Sequence, residues 1–182
     1  EHVKKNFQIT ADAFDVSPEQ FLTVRQVHGE GILVMKGPDS RIPEGKPLEY
    51  DGIITDQTGI AIGVKTADCV PILIADRVKR IVGVVHAGWR GTALKIAAKA
   101  VMRFREDFSS ATGDMVAAIG PSIGPCCYQV DEQVYRAMET GGASPYFRPC
   151  QEDGRWMLDL PSLNRQHLVE AGLIPESIEM SG

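Results

Sequence analysis

Between Val24 and Ile119 the apolar residues fall in short runs separated by turn-forming residues. Val24-Arg25-Gln26-Val27-His28 reads as a strand, continued by Ile32-Leu33-Val34-Met35. Asp51 to Asp56, Ile60 to Lys65, Val70 to Ala75 and Ile81 to Val85 follow as further strands. Their near-continuous Val and Ile content predicts burial on both faces. After Thr92 the period changes. Leu94, Ala97, Val101, Phe104 and Phe108 recur at three- and four-residue steps, the pattern of an amphipathic helix that Thr92 would N-cap.

Met115 to Ile119 is another strand and runs into the rigid turn Gly120-Pro121-Ser122-Ile123-Gly124-Pro125. Asp131 is placed to cap a short helix reaching Glu139, with Val134 and Met138 inward. Trp156 to Leu160 reads as a strand, and Pro161 opens a helix with Leu163, His167, Leu168 and Ala171 inward, which Gly172 ends. Lys36 to Glu49, rich in Pro and Gly, reads as a surface loop able to cover a site. The sum is an α/β or α+β chain of layered mixed β-sheets covered by helices, organised as a single domain over residues 1–182.

Composition narrows the classes. The chain has 182 residues, 43% hydrophobic and 24% charged, with a net charge of −5, as expected of a soluble globular protein. Lys and Arg cluster nowhere beyond Arg77-Lys79-Arg80, which reads as a hairpin turn, so a nucleic-acid-binding face is not expected. No apolar run approaches the ~20 residues of a membrane span, and no signal-peptide core opens the chain. The four cysteines, Cys69, Cys126, Cys127 and Cys150, include an adjacent pair that makes a poor disulfide framework. A reducing cytoplasm is the expected location.

The candidate chemistry sits at His28, Cys69 and His86, each at an apparent strand end or turn. One thiolate and two imidazoles form the ligand set of a catalytic zinc that keeps a fourth position for water or substrate. A strand, a charged turn and a second strand separate Cys69 from His86, so a hairpin would return one to the other. His28 must arrive from a different element, which excludes a compact zinc-finger module. Taken singly, such a cysteine is more often a small buried hydrophobe and such a histidine a satisfied polar group. Their company favours function: Gly29 after the first, Asp68 before the second, and Ala87-Gly88-Trp89-Arg90-Gly91 after the third.

Asp68 is either a turn residue or a carboxylate that moves protons or orients a ligand. Arg90 either makes a structural ion pair, with Trp89 in the core, or recognises an anion together with the N–H groups at the helix start. Cys126 and Cys127 read as packing residues. No dinucleotide fingerprint and no phosphate loop is present.

The segments Arg-Gln-Val-His-Gly, Thr-Ala-Asp-Cys-Val-Pro, His-Ala-Gly-Trp-Arg-Gly-Thr, Ile-Gly-Pro-Ser-Ile-Gly-Pro-Cys-Cys-Tyr and Leu-Asp-Leu occur in that order. From about Val24 to Leu160 the chain resembles the YfiH family, described both as polyphenol oxidoreductase (laccase) domain proteins and as purine nucleoside phosphorylases. The resemblance implies zinc held by His28, Cys69 and His86, and phosphorolysis of adenosine, inosine and methylthioadenosine with deamination of adenosine. It further implies a disputed copper-linked (Cu2+) phenol oxidation and a fold related to cysteine-hydrolase toxins. Nucleoside and phosphate are then the small-molecule partners, with no nucleic acid and no membrane, and Asp68 and Arg90 are the candidate catalytic residues. The chain departs from the family in lacking its usual N-terminal Ser-Leu-Asn segment and its C-terminal Arg-rich segment.

Two other chemistries stay open on the residues. Cys69 could act as the nucleophile of a cysteine hydrolase with His86 as its base. A true laccase would need several copper centres and more imidazoles than His2, His28, His86 and His167 supply.

Overall fold

The computed structural model describes residues 2–38, 40, 49–139, 141–152 and 154–181. After an opening helix α1 (His2–Ala13) the chain forms β1 (Phe21–Thr23), β2 (Ile32–Met35), β3 (Gly52–Thr55), β4 (Ala61–Gly63), β5 (Val70–Asp76) and β6 (Ile81–Ala87). Then come α2 (Trp89–Ala93), α3 (Ile96–Phe108), β7 (Met115–Ile119), β8 (Gln129–Asp131) and α4 (Glu132–Glu139). The chain closes with β9 (Phe147–Pro149), β10 (Arg155–Leu158), α5 (Leu160–Glu170) and β11 (Ile178–Met180). Among the described residues the strands form a six-stranded sheet in the order β11-β7-β5-β6-β3-β2, a β1-β4 pair and a three-stranded β8-β10-β9 sheet. The large sheet is mixed: its outer pairs β11-β7 and β2-β3 are parallel and its three inner pairings antiparallel. The architecture is the mixed α/β arrangement expected from the strand and helix patterns.

The centre of this sheet is the β5-β6 hairpin. Asp76 ends β5 and its buried carboxylate accepts the Val78 and Lys79 amides at 2.9 and 2.8 Å, closing the turn. Arg80, at φ 58°, completes the reversal. In the resulting register Pro71 faces His86 and Val70 faces Ala87, which places Cys69 and Gly88 at the same end of the sheet.

One face of the sheet carries α3. Ile96, Ala97, Ala100, Val101, Phe104 and Phe108 lie buried against Ile54, Ile72, Ile74, Ile81 and Val85. Each such fully buried aliphatic or aromatic side chain contributes about 1.5–3 kcal/mol. Gly83 is required here because an added Cβ would meet Phe104 Cε2 at 2.8 Å and Ile54 Cγ1 at 3.1 Å.

The other face is covered only in part. Val24, Ile53 and Val84 pack beneath Leu33, Tyr50, Ile62 and Val64, while Leu73 and Val82 are 52% and 44% exposed. They line a trough of about 800 Å3 together with Phe14, Val16, Ile62 and Ala118. Burial on both faces, expected from the apolar runs, therefore holds for β3 and fails for β5, where burial alternates along the strand.

Two further expectations are corrected. Val24 to His28 is not a strand: β1 ends at Thr23, Arg25 makes an isolated bridge to Glu49, and His28 adopts a left-handed φ of 58°. Thr92 does not cap one long helix, because Lys95 (φ 57°) divides α2 from α3 and leaves Leu94 exposed. Thr92 is instead buried within α2, its hydroxyl accepting from Asn164 Nδ2 at 2.9 Å. Of the Lys36 to Glu49 loop, residues 39 and 41–48 lie outside the described residues. The cap at Asp131 forms, its carboxylate accepting from Val134 N at 3.2 Å, and Gly172 (φ +106°) follows α5; α5 is also capped by Asp159, not singled out in the sequence, which accepts from Ser162 N at 3.1 Å.

Two outcomes follow from this packing. Gly83→Ala should force apart Phe104 and Ile54 and destabilise the protein by about 1–3 kcal/mol, seen as a lower urea midpoint; an unchanged midpoint would show that the sheet and α3 have slack there. His167 is buried on α5 with Nδ1 unpartnered among the described residues. Burial, reinforced by Lys95 and opposed by Glu170, lowers its pKa below the ordinary imidazole value. Its folded-state pKa lies below the unfolded one, so stability is fully present above about pH 6.5 and is lost as pH falls from there. The stability-pH slope between about pH 6.5 and 5 should be shallower in His167→Gln than in the parent, measured by denaturant titration at each pH.

Candidate metal centre and catalytic site

The site forms where three chain segments meet at one end of the central hairpin. Cys69 lies just before β5 and His86 near the end of β6, and the β5-β6 register carries both to the same end. His28 arrives on the turn between β1 and β2. The ligand atoms of His28, Cys69 and His86 lie within 4.8 Å of one another. The two imidazoles meet edge to face, with ring centroids 4.7 Å apart and an interplanar angle of 83°.

Glycines make this approach possible. A Cβ at Gly88 would sit 3.1 Å from both Cys69 Sγ and His28 Cδ2, and one at Gly91 would sit 2.9 Å from the Gly29 carbonyl oxygen. The Gly-Trp-Arg-Gly segment is thus a close-packing device that lets the start of α2 lie against the ligands.

A residue not singled out in the sequence organises the centre. Asp51, fully buried immediately before β3, accepts the backbone N–H groups of Val27, His28 and Gly29 at 3.3, 2.9 and 2.7 Å. The left-handed His28 backbone turns these successive amides toward one carboxylate, an anion-binding nest. Asp51 Oδ1 also lies 2.8 Å from His86 Nδ1. As the carboxylate accepts this bond, Nδ1 carries the proton and Nε2 is the nitrogen left to bind a metal, the usual way a carboxylate orients a ligating histidine. The only sequence signal was an Asp opening an apolar run, which is indistinguishable from a turn residue.

The donor set fits a metal ion. One sulfur and two imidazole nitrogens are typical zinc donors, and His86 is held in the ligating tautomer. Partial burial raises the Cys69 thiol pKa, and the negative charges of Asp68 and then Asp51 raise it further. Such surroundings disfavour a bare thiolate and favour a cation beside it.

Asp68 is exposed, and its carbonyl accepts from the Ile123 amide at 3.0 Å, pinning the turn after β7 beside Cys69. Tyr128, a half-buried neighbour that the sequence did not single out, has a raised phenol pKa, from burial first and then from Cys69, Asp68 and Asp131. Arg90 is exposed in the first turn of α2, stacks over Trp89 with its guanidinium carbon 4.4 Å from the ring centroid, and makes no ion pair among the described residues. The expected packing role of Cys126 and Cys127 is not observed, since both are exposed in the turn. Asn164 and His167, though buried, cluster on α5 and belong to the helix layer.

The chain matches, over residues 1–182, a family model described as multi-copper polyphenol oxidoreductase laccase. It is 34% identical over 185 residues to purine nucleoside phosphorylase YlmD of Bacillus subtilis, covering 99% of this chain and 66% of that protein. It is 32% identical over 179 residues to human purine nucleoside phosphorylase LACC1, covering 97% of this chain and 39% of that one. The fold superposes on the crystal structure of the Bacillus licheniformis hypothetical protein YfiH with a TM-score of 0.88 and 32% identity, across 100% of this chain and 70% of that one. For YlmD from Geobacillus stearothermophilus the TM-score is 0.85 at 34% identity, across 97% and 67%.

If Asp51 orients His86 as described, Asp51→Asn should fold yet bind metal roughly 10–100-fold more weakly, measured by chelator competition. Unaltered metal affinity in a folded Asn variant would reduce Asp51 to a structural role.

Proposed function

The chain belongs to the multi-copper polyphenol oxidoreductase laccase family, and we propose that its His28-Cys69-His86 centre holds zinc and serves phosphorolysis of a purine nucleoside. Adenosine, inosine and methylthioadenosine are the proposed substrates, with deamination of adenosine as a second reaction of the same centre. The observation that carries this reading is the convergence of one sulfur and two imidazole nitrogens, with Asp51 holding His86 from behind. The purine substrate class is supported by relatives named as purine nucleoside phosphorylases, and this chain spans less than two thirds of the length of those from Bacillus subtilis and human.

Bound by the three ligands, zinc would supply Lewis acidity toward water in deamination and toward the departing base in phosphorolysis. The chain's own residues account for the rest. Arg90, exposed and without an ion-pair partner among the described residues, offers a planar fork to two phosphate oxygens. A phosphate oxygen then attacks the anomeric carbon as the glycosidic bond breaks, and its electron pair leaves on the purine nitrogen, which takes up a proton. Asp68, exposed and adjacent to Cys69 in the chain, is the carboxylate proposed to move that proton. In deamination it would accept a proton from the attacking water and return it to the amino group leaving as ammonia.

A cysteine hydrolase reading draws on the same Cys69, His86 and Asp51 alignment. It is disfavoured because a nucleophilic cysteine needs a depressed pKa, whereas burial and two carboxylates raise that of Cys69. It also leaves His28 without a role. A multicopper laccase would need ligands for several copper ions, and among the described residues only one group of three candidate ligands exists.

The decisive experiment measures phosphate-dependent release of free base from a panel of nucleosides, using metal-stripped and zinc-restored protein. Activity absent from stripped protein and restored by zinc is expected; base release that ignores both phosphate and zinc would overturn the proposal. Cys69→Ala should lose bound zinc and turnover while remaining folded by circular dichroism, and a zinc-loaded, active variant would remove Cys69 from the ligand set. Arg90→Lys replaces a planar fork with a point charge and should keep zinc while raising the KM for phosphate roughly tenfold, the equivalent of about 1.4 kcal/mol. An unchanged phosphate KM would return Arg90 to the surface.

A further inference from the structure

The turn after β7 ends in two neighbouring cysteines that neither the core nor the first centre employs. Cys126 and Cys127 are exposed and carry free thiols, with their sulfurs 2.7 Å apart. The turn that presents them is braced. The Cys127 and Tyr128 amides both donate to the Gly124 carbonyl, at 3.0 and 3.2 Å, and the Ile123 amide donates to Asp68. On the far side, the Leu158 amide donates to the Tyr128 carbonyl at 3.0 Å, tying the turn to the end of β10. Pro121 and Pro125 restrict the backbone further.

Two sulfurs held together on a braced turn make a bidentate soft ligand. Their closing into a disulfide is disfavoured: neighbouring Cα atoms across a trans peptide lie about 3.8 Å apart, short of the ~4.4–6.8 Å that disulfides ordinarily span. Both thiols are free. Nor does the pair suit zinc, which takes three or four protein ligands. Among the described residues the one group of three or more candidate ligands is His28, Cys69 and His86, so no third His, Cys, Asp or Glu joins the pair. Thiolates without imidazole or carboxylate company select a soft cation that accepts few ligands, and monovalent copper is the principal cation of that kind.

We propose that Cys126 and Cys127 form a second metal site, a surface dithiolate that takes a soft monovalent cation of the copper(I) class. On binding, each thiol gives its proton to solvent and each sulfur donates an electron pair to the cation. One cation and two thiolates leave the complex with a net charge of −1, with two protons released and no change of oxidation state. Because protons are displaced, the affinity rises with pH. The site does not depend on the nucleoside reaction and stands or falls apart from it.

The test uses zinc-loaded protein, so that Cys69 is already engaged, titrated without oxygen with copper(I) buffered by a chromophoric chelator such as bicinchoninate. The parent protein should withdraw one equivalent of copper(I), and the double variant Cys126→Ser/Cys127→Ser should withdraw none. Cys150→Ser should behave as the parent. Either single variant should bind at least tenfold more weakly. As a measurement independent of variants, one equivalent of copper(I) should protect Cys126 and Cys127 of the parent from iodoacetamide, mapped by mass spectrometry. A double variant that holds copper(I) as well as the parent, a parent that holds none, or copper(I) binding that leaves both thiols open to alkylation would each overturn the proposal.

Discussion

Asp51 is the constraint on which the site depends. A carboxylate with no solvent exposure is costly unless donors surround it, and here three backbone N–H groups and the His86 imidazole do so. Meeting that demand fixes three separate parts of the chain. The turn through His28 must curl around the carboxylate, β3 must begin where it does, and the end of β6 must lie alongside. Two backbone bonds tighten the same knot, from the Asp51 amide to the Gly31 carbonyl at 2.8 Å and from the His86 amide to the Asp51 carbonyl at 2.7 Å. The left-handed conformation of His28, which costs on the order of 1 kcal/mol or more, is sustained by these bonds.

The sheet supplies stiffness to this arrangement. Cys69 immediately precedes β5 and His86 lies on β6, two inner strands whose pairing runs from Val70 opposite Ala87 to Asp76 opposite Ile81, so their separation cannot drift without breaking a ladder of backbone hydrogen bonds. Gly88 and Gly91 then let the chain entering α2 close on the ligands with no Cβ in the way. Asp68 and Arg90 flank the ligands in sequence, yet both are exposed. The result is a set of three potential donors held rigid by the sheet, with charges of opposite sign near them in the sequence and open to solvent.

Expectations failed where tertiary contacts decide the outcome. A run such as Val70-Pro71-Ile72-Leu73-Ile74 looks the same whether one face or both are covered, and only the tertiary packing, with Ile72 and Ile74 in the core that α3 shares, leaves Leu73 half in solvent. The helical period after Thr92 was legible, but not its break at Lys95, because Leu94 and Lys95 are ordinary helix formers and nothing local demands a left-handed residue there. Cys126 and Cys127 read as packing residues because their neighbours are apolar or rigid, while the turn they occupy points them outward.

By itself the sequence determined the classes of element, most of their positions and the identity of the three side chains that converge as potential donors. Those follow from local physics: apolar periodicity, capping side chains, and the affinity of sulfur and imidazole for soft and borderline cations. The hairpin between Cys69 and His86 was legible as well, since a charged turn between two short apolar runs has few other solutions. Only the tertiary structure decided how His28 reaches the other two, on a left-handed turn, and that Asp51 stands behind them. It alone left Asp68 and Arg90 exposed. The reason is that a carboxylate's role is set by what donates to it, and the donors to Asp51 come from the turn through His28 and from β6, both distant along the chain and adjacent only after the sheet has assembled.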